Sequence, residues 1–243
     1  MKYTVDLHIH SALSPCADKE MTPNNIVNMA LVKGLDIIAL TDHNSGLNLE
    51  AVSKCAKNNG LLFIPGMEVE TAEEVHLICL LPDLKCADEL HQHVYKALPA
   101  IQNREDIFGT QLILDENDQC IGQESRMLIT ATKLTVNEVF LLVQQLGGAV
   151  IPAHVDRPSY SMISNLGMIP EDLGIIYLEI SRNCDKYAFR AMKPELDSFR
   201  LIKSSDAHYL GDILERESQL ELKERSPQAL ISALTFTAVK LDQ

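Results

Sequence analysis

The first ten residues, Met1-Lys-Tyr-Thr-Val-Asp-Leu-His-Ile-His10, decide how the chain is read. Tyr3–Ile9 has the apolar, β-branched character of a short strand, and His8 and His10 stand at its end. Residues i and i+2 of a strand face the same side, about 6–7 Å apart at Cα, so two imidazoles there can converge on one cation. The pair alone is weak, since 8 histidines in 243 residues give about a quarter of such a match by chance. A second match, His91-Gln-His93, serves as an internal control. It lies in the helical pattern CADELHQHVYKAL, where i and i+2 point about 200° apart. These two are read as surface residues.

The six histidines other than His91 and His93 fall at or near the ends of strand-like runs. His43 follows IIAL in Thr41-Asp-His-Asn44, and Glu68 follows LLFIPGM. His76 enters the next apolar run, and a short turn brings it back beside Glu68. His154 follows AVIPA, and Asp206 and His208 follow LIKSS as another i, i+2 pair. Asp18 lies in the first loop, SPCADKE. In a parallel barrel the strand ends open on one rim, where active sites collect. Burying so many acids and imidazoles together is costly without cations. The set suits two or three divalent ions with mixed nitrogen and oxygen ligands, and zinc, manganese and iron all fit.

Around these positions short apolar runs alternate with helical segments. Strands are expected at Tyr3–Ile9, Asp36–Leu40, Leu61–Pro65, Val75–Leu80, Ala149–Pro152, Ile175–Ile180 and Leu201–Ser204, of the buried parallel kind. Helices are expected from Thr22-Pro23 to Gly34, over Asn48–Asn59, Thr135–Leu146, Asp185–Leu196 and Pro227–Phe236. Thr135 and Glu138 have capping-box spacing. Residues 86–133 break the rhythm, and Gln111–Gly122 reads as a hairpin turning at Asp115–Asp118. This segment is either a decorative insertion or a lid over the site. One α/β domain over residues 1–243 accommodates all of this.

With 21 Lys and Arg against 34 Asp and Glu, the net charge is −13. That repels long polyanions, so extended duplex nucleic acid is not expected as a partner. A small phosphorylated substrate or a short nucleic-acid end remains compatible, because bound cations can reverse the local field. The 6 cysteines form no CxxC, which suits a reduced, cytoplasmic setting. The opening strand leaves no room for a signal peptide. No apolar run approaches the ~18–20 residues of a membrane span.

The runs DLHIHSALS, LTDHNS, GMEVET with EVHLICLL, AHVDRPS and SSDAH, in this order, resemble the PHP (polymerase and histidinol phosphatase) superfamily. The resemblance extends over about residues 1 to 240 and is closest to stand-alone PHP phosphoesterases. It implies a distorted (β/α)7 TIM-like barrel with a two- or three-metal site. It also implies metal roles for His8, His10, Asp18, His43, Glu68, His76, His154, Asp206 and His208, with Glu68 bridging two ions. The sequence departs from the family where a Ser-Asp-Gly usually follows the His-x-His. Here Pro15 follows Ser14, and Asp18 is taken as the substitute acid. Cys16, close by, is either a soft ligand or a redox-sensitive bystander, and is read as the bystander.

The expected chemistry is hydrolysis of a phosphomonoester, nucleotide or short oligonucleotide. A metal-bridging hydroxide, held by Glu68 and neighbouring ligands, is the expected nucleophile. Arg157 and Arg182 are candidates for gripping the substrate phosphate, with surface ion pairing as the competing role. Three other readings stay open. An exonuclease on short ends would use Lys96, Arg104, Arg126 and Lys133 to line a groove. A non-catalytic sensor would bind metal and a phosphorylated ligand. An amidohydrolase would share the His-x-His but commonly carries a lysine ligand that this pattern lacks.

Overall fold

The computed structural model describes residues 1–235. Three strands, β1 (Lys2–Asp6), β2 (Ile37–Leu40) and β3 (Leu62–Glu70), run parallel. They are joined by α1 (Pro23–Val32) and α2 (Leu49–Asn58). Thr22 caps α1 by accepting the Asn25 N–H, and Pro23 occupies the first helical turn, where its missing N–H costs nothing.

The next strand, β4 (His76–Leu80), is antiparallel to β3, with Glu70 opposite His76 and Glu68 opposite Ile78. This corrects the expectation of uniformly parallel strands. Residues 71–75 alone join the two, far short of the dozen or so that a parallel crossover needs. The reversal has a functional consequence. The first residue of β4, rather than its last, lies on the rim where β3 ends.

Then come α3 (Leu84–Ala97), α4 (Glu105–Phe108), the hairpin β5 (Leu112–Leu114) and β6 (Cys120–Gln123), and α5 (Val136–Gln145). The Thr135–Glu138 capping box is present in full. β7 (Ala149–Pro152) pairs antiparallel with β4 and so resumes the direction of β1–β3. After the short α6 (Met162–Leu166), β8 (Tyr177–Ile180) and β9 (Arg200–Lys203) form a separate parallel pair flanking α7 (Lys186–Met192). α7 stops at Met192, short of the expected Leu196, because Pro194 cannot continue an α-helix. β10 (Gln219–Glu221) pairs antiparallel with the free edge of β1. Three residues are too few for a periodic signal, and the sequence did not announce it. α8 (Pro227–Thr235) closes the described chain; Phe236, expected in this helix, lies outside the described residues.

The six-stranded sheet has the order β10-β1-β2-β3-β4-β7. It curls so that the β8–β9 pair meets both of its ends at the rim. On one side the Val155 N–H donates to Glu179 O at 2.8 Å. On the other, Ile9 and Ala207 bridge in parallel and the His10 N–H reaches Ala207 O at 3.0 Å. The buried Asp6 carboxylate reinforces that junction by accepting the N–H groups of Ser205 and Leu214. Alternation along β2 divides the core in two. Ile37 and Ala39 pack with Val5, Ile64, Ile151 and the α8 residues Leu230 and Leu234. Ile38 and Leu40 pack outward with Ile26, Val27 and Val52 of α1 and α2. Among the described residues, no helix is long and apolar enough to cross a membrane.

Candidate metal centre

Glu68 is the hub of the rim. It is fully buried, and five imidazoles crowd its two oxygens. Oε1 lies 2.9 Å from His76 Nδ1 and 3.3 Å from both His8 Nε2 and His154 Nε2. Oε2 lies 2.9 Å from His43 Nδ1 and 3.4 Å from His10 Nε2. Asp206 completes the cluster, its Oδ1 at 3.1 Å from His10 Nε2 and 3.3 Å from His8 Nε2. His208 stacks on His10 with ring centroids 4.3 Å apart. The donors fall into three overlapping groups, each with its atoms within 4.8 Å of one another: His8, His10, Glu68 and Asp206; His43, Glu68 and His76; His10, His43 and His208.

Several of these residues sit on strained backbone. His154 and Asp206 have φ of +31° and +51°, and Asn44, next to His43, has +48°. Such conformations cost about 1–3 kcal/mol each and persist where surrounding contacts impose them. At His154 the constraint is its own N–H, which donates to Glu179 Oε1. At Asn44 it is the side chain, which donates to the Leu128 and Thr130 carbonyls and accepts the Glu70 N–H.

The outer hydrogen bonds determine which ring atoms face the centre. The Glu179 carboxylate takes the Nδ1 proton of His8, at 3.1 and 3.2 Å. The Ser14 hydroxyl donates to Asp42 and accepts the His43 N–H, so it is an acceptor for the Nδ1 proton of His10. Both Nε2 lone pairs are thereby turned inward, where they meet at 3.1 Å. Two lone pairs at that distance repel unless a proton or a cation stands between them. Ligands about 2.0–2.2 Å from one ion lie about 3–3.5 Å from each other, which is the spacing of these donors. Two buried atoms, His43 Nδ1 and Glu68 Oε2, approach to 2.9 Å yet are out of line for a hydrogen bond and have no other partner. The donor set therefore fits divalent cations.

Without cations, protons take their place. Burial alone would lower His8, but the carboxylates of Glu179, Glu68 and Asp206 raise it well above the ordinary imidazole value. His43 and His76 are raised against burial mainly by Glu68. His10 goes the other way, lowered by burial and by the charges of His208 and His43. Burial would raise Glu68, but the imidazoles of His76, His8 and His43 bring it well below the usual carboxylate range. Asp206 is likewise brought down, by His8 and His10.

A family model described as the PHP domain matches residues 6–149, more than half of the chain. The chain belongs to the PHP domain family. This PHP chain is 29% identical to an uncharacterized protein of Methanocaldococcus jannaschii, over 67% of its own length and 18% of that protein's. It is 32% identical to the 3′,5′-nucleoside bisphosphate phosphatase of Chromobacterium violaceum over 31% of its length and 27% of the relative's. The chain thus spans well under two thirds of these curated relatives. Among solved structures it resembles the lesion-specific endonuclease of Pyrococcus furiosus, with a TM-score of 0.72 and 24% identity, over 97% of this chain and 56% of that one.

In this PHP domain the structure brings together eight of the nine residues singled out from the sequence. The exception is Asp18. It is half-buried and joins none of the donor groups, and its Oδ1 accepts the Glu20 N–H in a local turn. Its backbone N–H donates to His208 O. Cys16, an exposed residue of the same loop, joins none of the donor groups either. Desolvation raises its thiol, but the positive charges of His43 and His208 outweigh that and draw it down to about 6. Arg157 reaches the cluster, with Nη1 at 2.7 Å from Asp206 Oδ2. Arg182 does not; it pairs with Asp212 at 2.7 Å. His93 is exposed as read, whereas His91 is half-buried and its Nδ1 accepts the Gly46 N–H, so it has a structural task. Glu179, Ser14 and Asp42 were missed. Glu179 did leave a signal, a lone acid inside the apolar strand IIYLEIS.

Proposed function

We propose that the chain hydrolyses phosphate esters with two or three divalent cations (zinc, manganese or iron). The observation that carries the proposal is the convergence of five imidazoles on the buried Glu68. His8, His10, Glu68 and Asp206 would hold one cation and His43, Glu68 and His76 a second, with His154 beside Glu68. Bound there, divalent cations supply Lewis acidity toward phosphoryl oxygens and lower the pKa of water. Glu68 and Asp206 balance the added positive charge. Arg157, about half exposed beside Asp206, is free on its outer side to pair with a substrate phosphate. Glu179 and Ser14 hold the imidazoles of His8 and His10 in the tautomer whose Nε2 faces inward.

Phosphomonoesters, nucleotides and short oligonucleotides are the substrates this reading favours. The acidic net charge and the local engagement of Arg104 and Arg126 in residues 86–133 argue against a long nucleic-acid groove. Arg104 pairs with Asp106, and Arg126 donates to Tyr95 O and covers the Tyr95 ring. We read the curled sheet as a distorted (β/α)7 barrel of β1–β4 and β7–β9, with residues 86–133 inserted after β4.

The test is phosphate release in manganese from a nucleoside 3′,5′-bisphosphate, histidinol phosphate, a sugar phosphate and a 5′-phosphorylated oligonucleotide. A His8→Ala/His10→Ala variant serves as the blank. Turnover that vanishes in the blank supports the reading and ranks the substrates. Metals bound without turnover of any substrate would favour a ligand-sensing role.

A further inference from the structure

The loop that follows β7 carries three side chains of the rim. His154 joins the imidazoles around Glu68, Arg157 reaches Asp206, and Tyr160 lies over His76. The Tyr160 and His76 rings are 4.9 Å apart at their centroids, with planes tilted by 31°. The backbone joins them as well, since the His76 N–H donates to Tyr160 O at 3.0 Å. The buried Ser161 hydroxyl donates to Arg157 O and caps α6, and the Arg157 N–H donates to His154 O. These bonds fix Arg157 and Tyr160 relative to each other and to the donors.

Tyr160 is held in a costly conformation. Its φ is +55°, in the left-handed region that bulky residues rarely enter. Strain of this kind gathers at active sites and ligand clamps. The ring packs against His76, which is only 9% exposed, yet Tyr160 itself stays 47% exposed. A tyrosine packed on one side and open on the other is a rigid, largely apolar surface for another flat group. That surface stands on the solvent side of a cation ligand, in the same loop as the guanidinium beside Asp206.

We propose that Tyr160 is a specificity-determining residue, whose open face stacks on a planar ring carried by the ester while Arg157 and the cations hold its phosphate. This rests on the phosphate-ester reading and narrows it. Esters of ring-bearing alcohols, such as nucleosides, are favoured over plain sugar phosphates. Stacking tolerates any base, because every base has a π-face. The site therefore sorts esters by whether they carry a ring, not by which ring it is. An uncharged contact of this kind also suits a chain of net charge −13, which gains little from further attraction to anions at long range.

The experiment compares adenosine 5′-monophosphate with ribose 5-phosphate, which share phosphate and sugar and differ by the base alone. Metal-loaded wild-type protein should prefer the nucleotide in kcat/KM by about 5- to 150-fold, the range of one base–aromatic stack. Tyr160→Ala should abolish that preference, and Tyr160→Phe should keep it, since the ring and not the hydroxyl stacks. Tyr187→Ala, a change at an exposed ring of α7, should leave the preference as it is. Metal content is measured in each variant. If Tyr160→Ala loses metal and slows both esters equally, the ring only shields His76 and the proposal is overturned. A wild-type protein that hydrolyses both esters equally well also overturns it, with the phosphate-ester reading intact. Absence of turnover counts against that reading instead. Calorimetric binding of the two esters then makes the same comparison, and equal affinities overturn the stacking role.

Discussion

His8 Nε2 and His10 Nε2 face each other at 3.1 Å, with the Nδ1 atoms behind them already committed to Glu179 and Ser14. That arrangement makes Glu179 a positioning residue for the centre. It orients His8, holds the backbone of His154 and makes the imidazole of His8 a stronger donor. Glu179→Gln keeps the shape but removes the charge. Metal affinity should fall by about 10- to 100-fold, measured by competition with a chromophoric chelator. Unchanged affinity would show that the contact to Glu179 is packing alone.

The pH dependence of the metal-free protein follows from the same charges. His8, His43 and His76 are raised, so their contribution is complete below the unfolded imidazole value of about 6.5. It is lost as pH rises through their higher folded values. Glu68 and Asp206 are lowered. Their contribution is present above the unfolded carboxylate values of about 3.9–4.3 and lost as pH falls through the lower folded ones. His10, lowered, acts against the fold below about pH 6.5. Urea midpoints of the stripped protein should therefore be highest in the weakly acidic range and decline on the alkaline side. Added zinc should reverse the alkaline decline, since it displaces protons. A midpoint independent of pH would refute the protonated cluster.

The two arginines should behave differently. Arg157→Ala removes a guanidinium beside Asp206, where a phosphate would dock. A charged hydrogen bond is worth about 1.5–3 kcal/mol, so kcat/KM should fall by about 10- to 150-fold with metal content intact. Arg182→Ala breaks only the pair with Asp212, about a third exposed on each side, and should change kcat/KM little. Equal losses in the two variants would place the phosphate grip elsewhere.

Gly109 links residues 86–133 to the loop that carries Ser14 and Cys16. Its φ is +94°, and a Cβ would stand 2.5 Å from the backbone oxygen of Pro15. Gly109→Ala should lower stability by about 1–3 kcal/mol and also weaken metal retention, because the loop must retreat. Urea denaturation and metal analysis of the purified variant would check this. A loss of stability with full metal retention would mean that the loop holds its place without Gly109.

Much of the rim was legible in the chain. Strand periodicity places His8 and His10 on one face, and an apolar run preceding each of His43, Glu68, His154 and Asp206 puts them at strand ends. These are local properties, carried by spacing and hydropathy within a few residues. The hairpin at Asp115 and the capping box at Thr135 are local in the same sense, and both are present.

What only tertiary structure decided lies between segments distant in sequence. Glu179 meets His8 across 171 positions and Arg157 meets Asp206 across 49, contacts that no local pattern encodes. Asp18 is a ligand-type residue in the loop after His10, yet its Oδ1 accepts the Glu20 N–H and it joins none of the donor groups. The course of that loop is set by contacts to Asp42, Gly109 and His208, all distant in sequence. The residues themselves state which donors are available; the direction in which each donor points depends on how separate strands and loops pack, and that is a property of the folded chain alone.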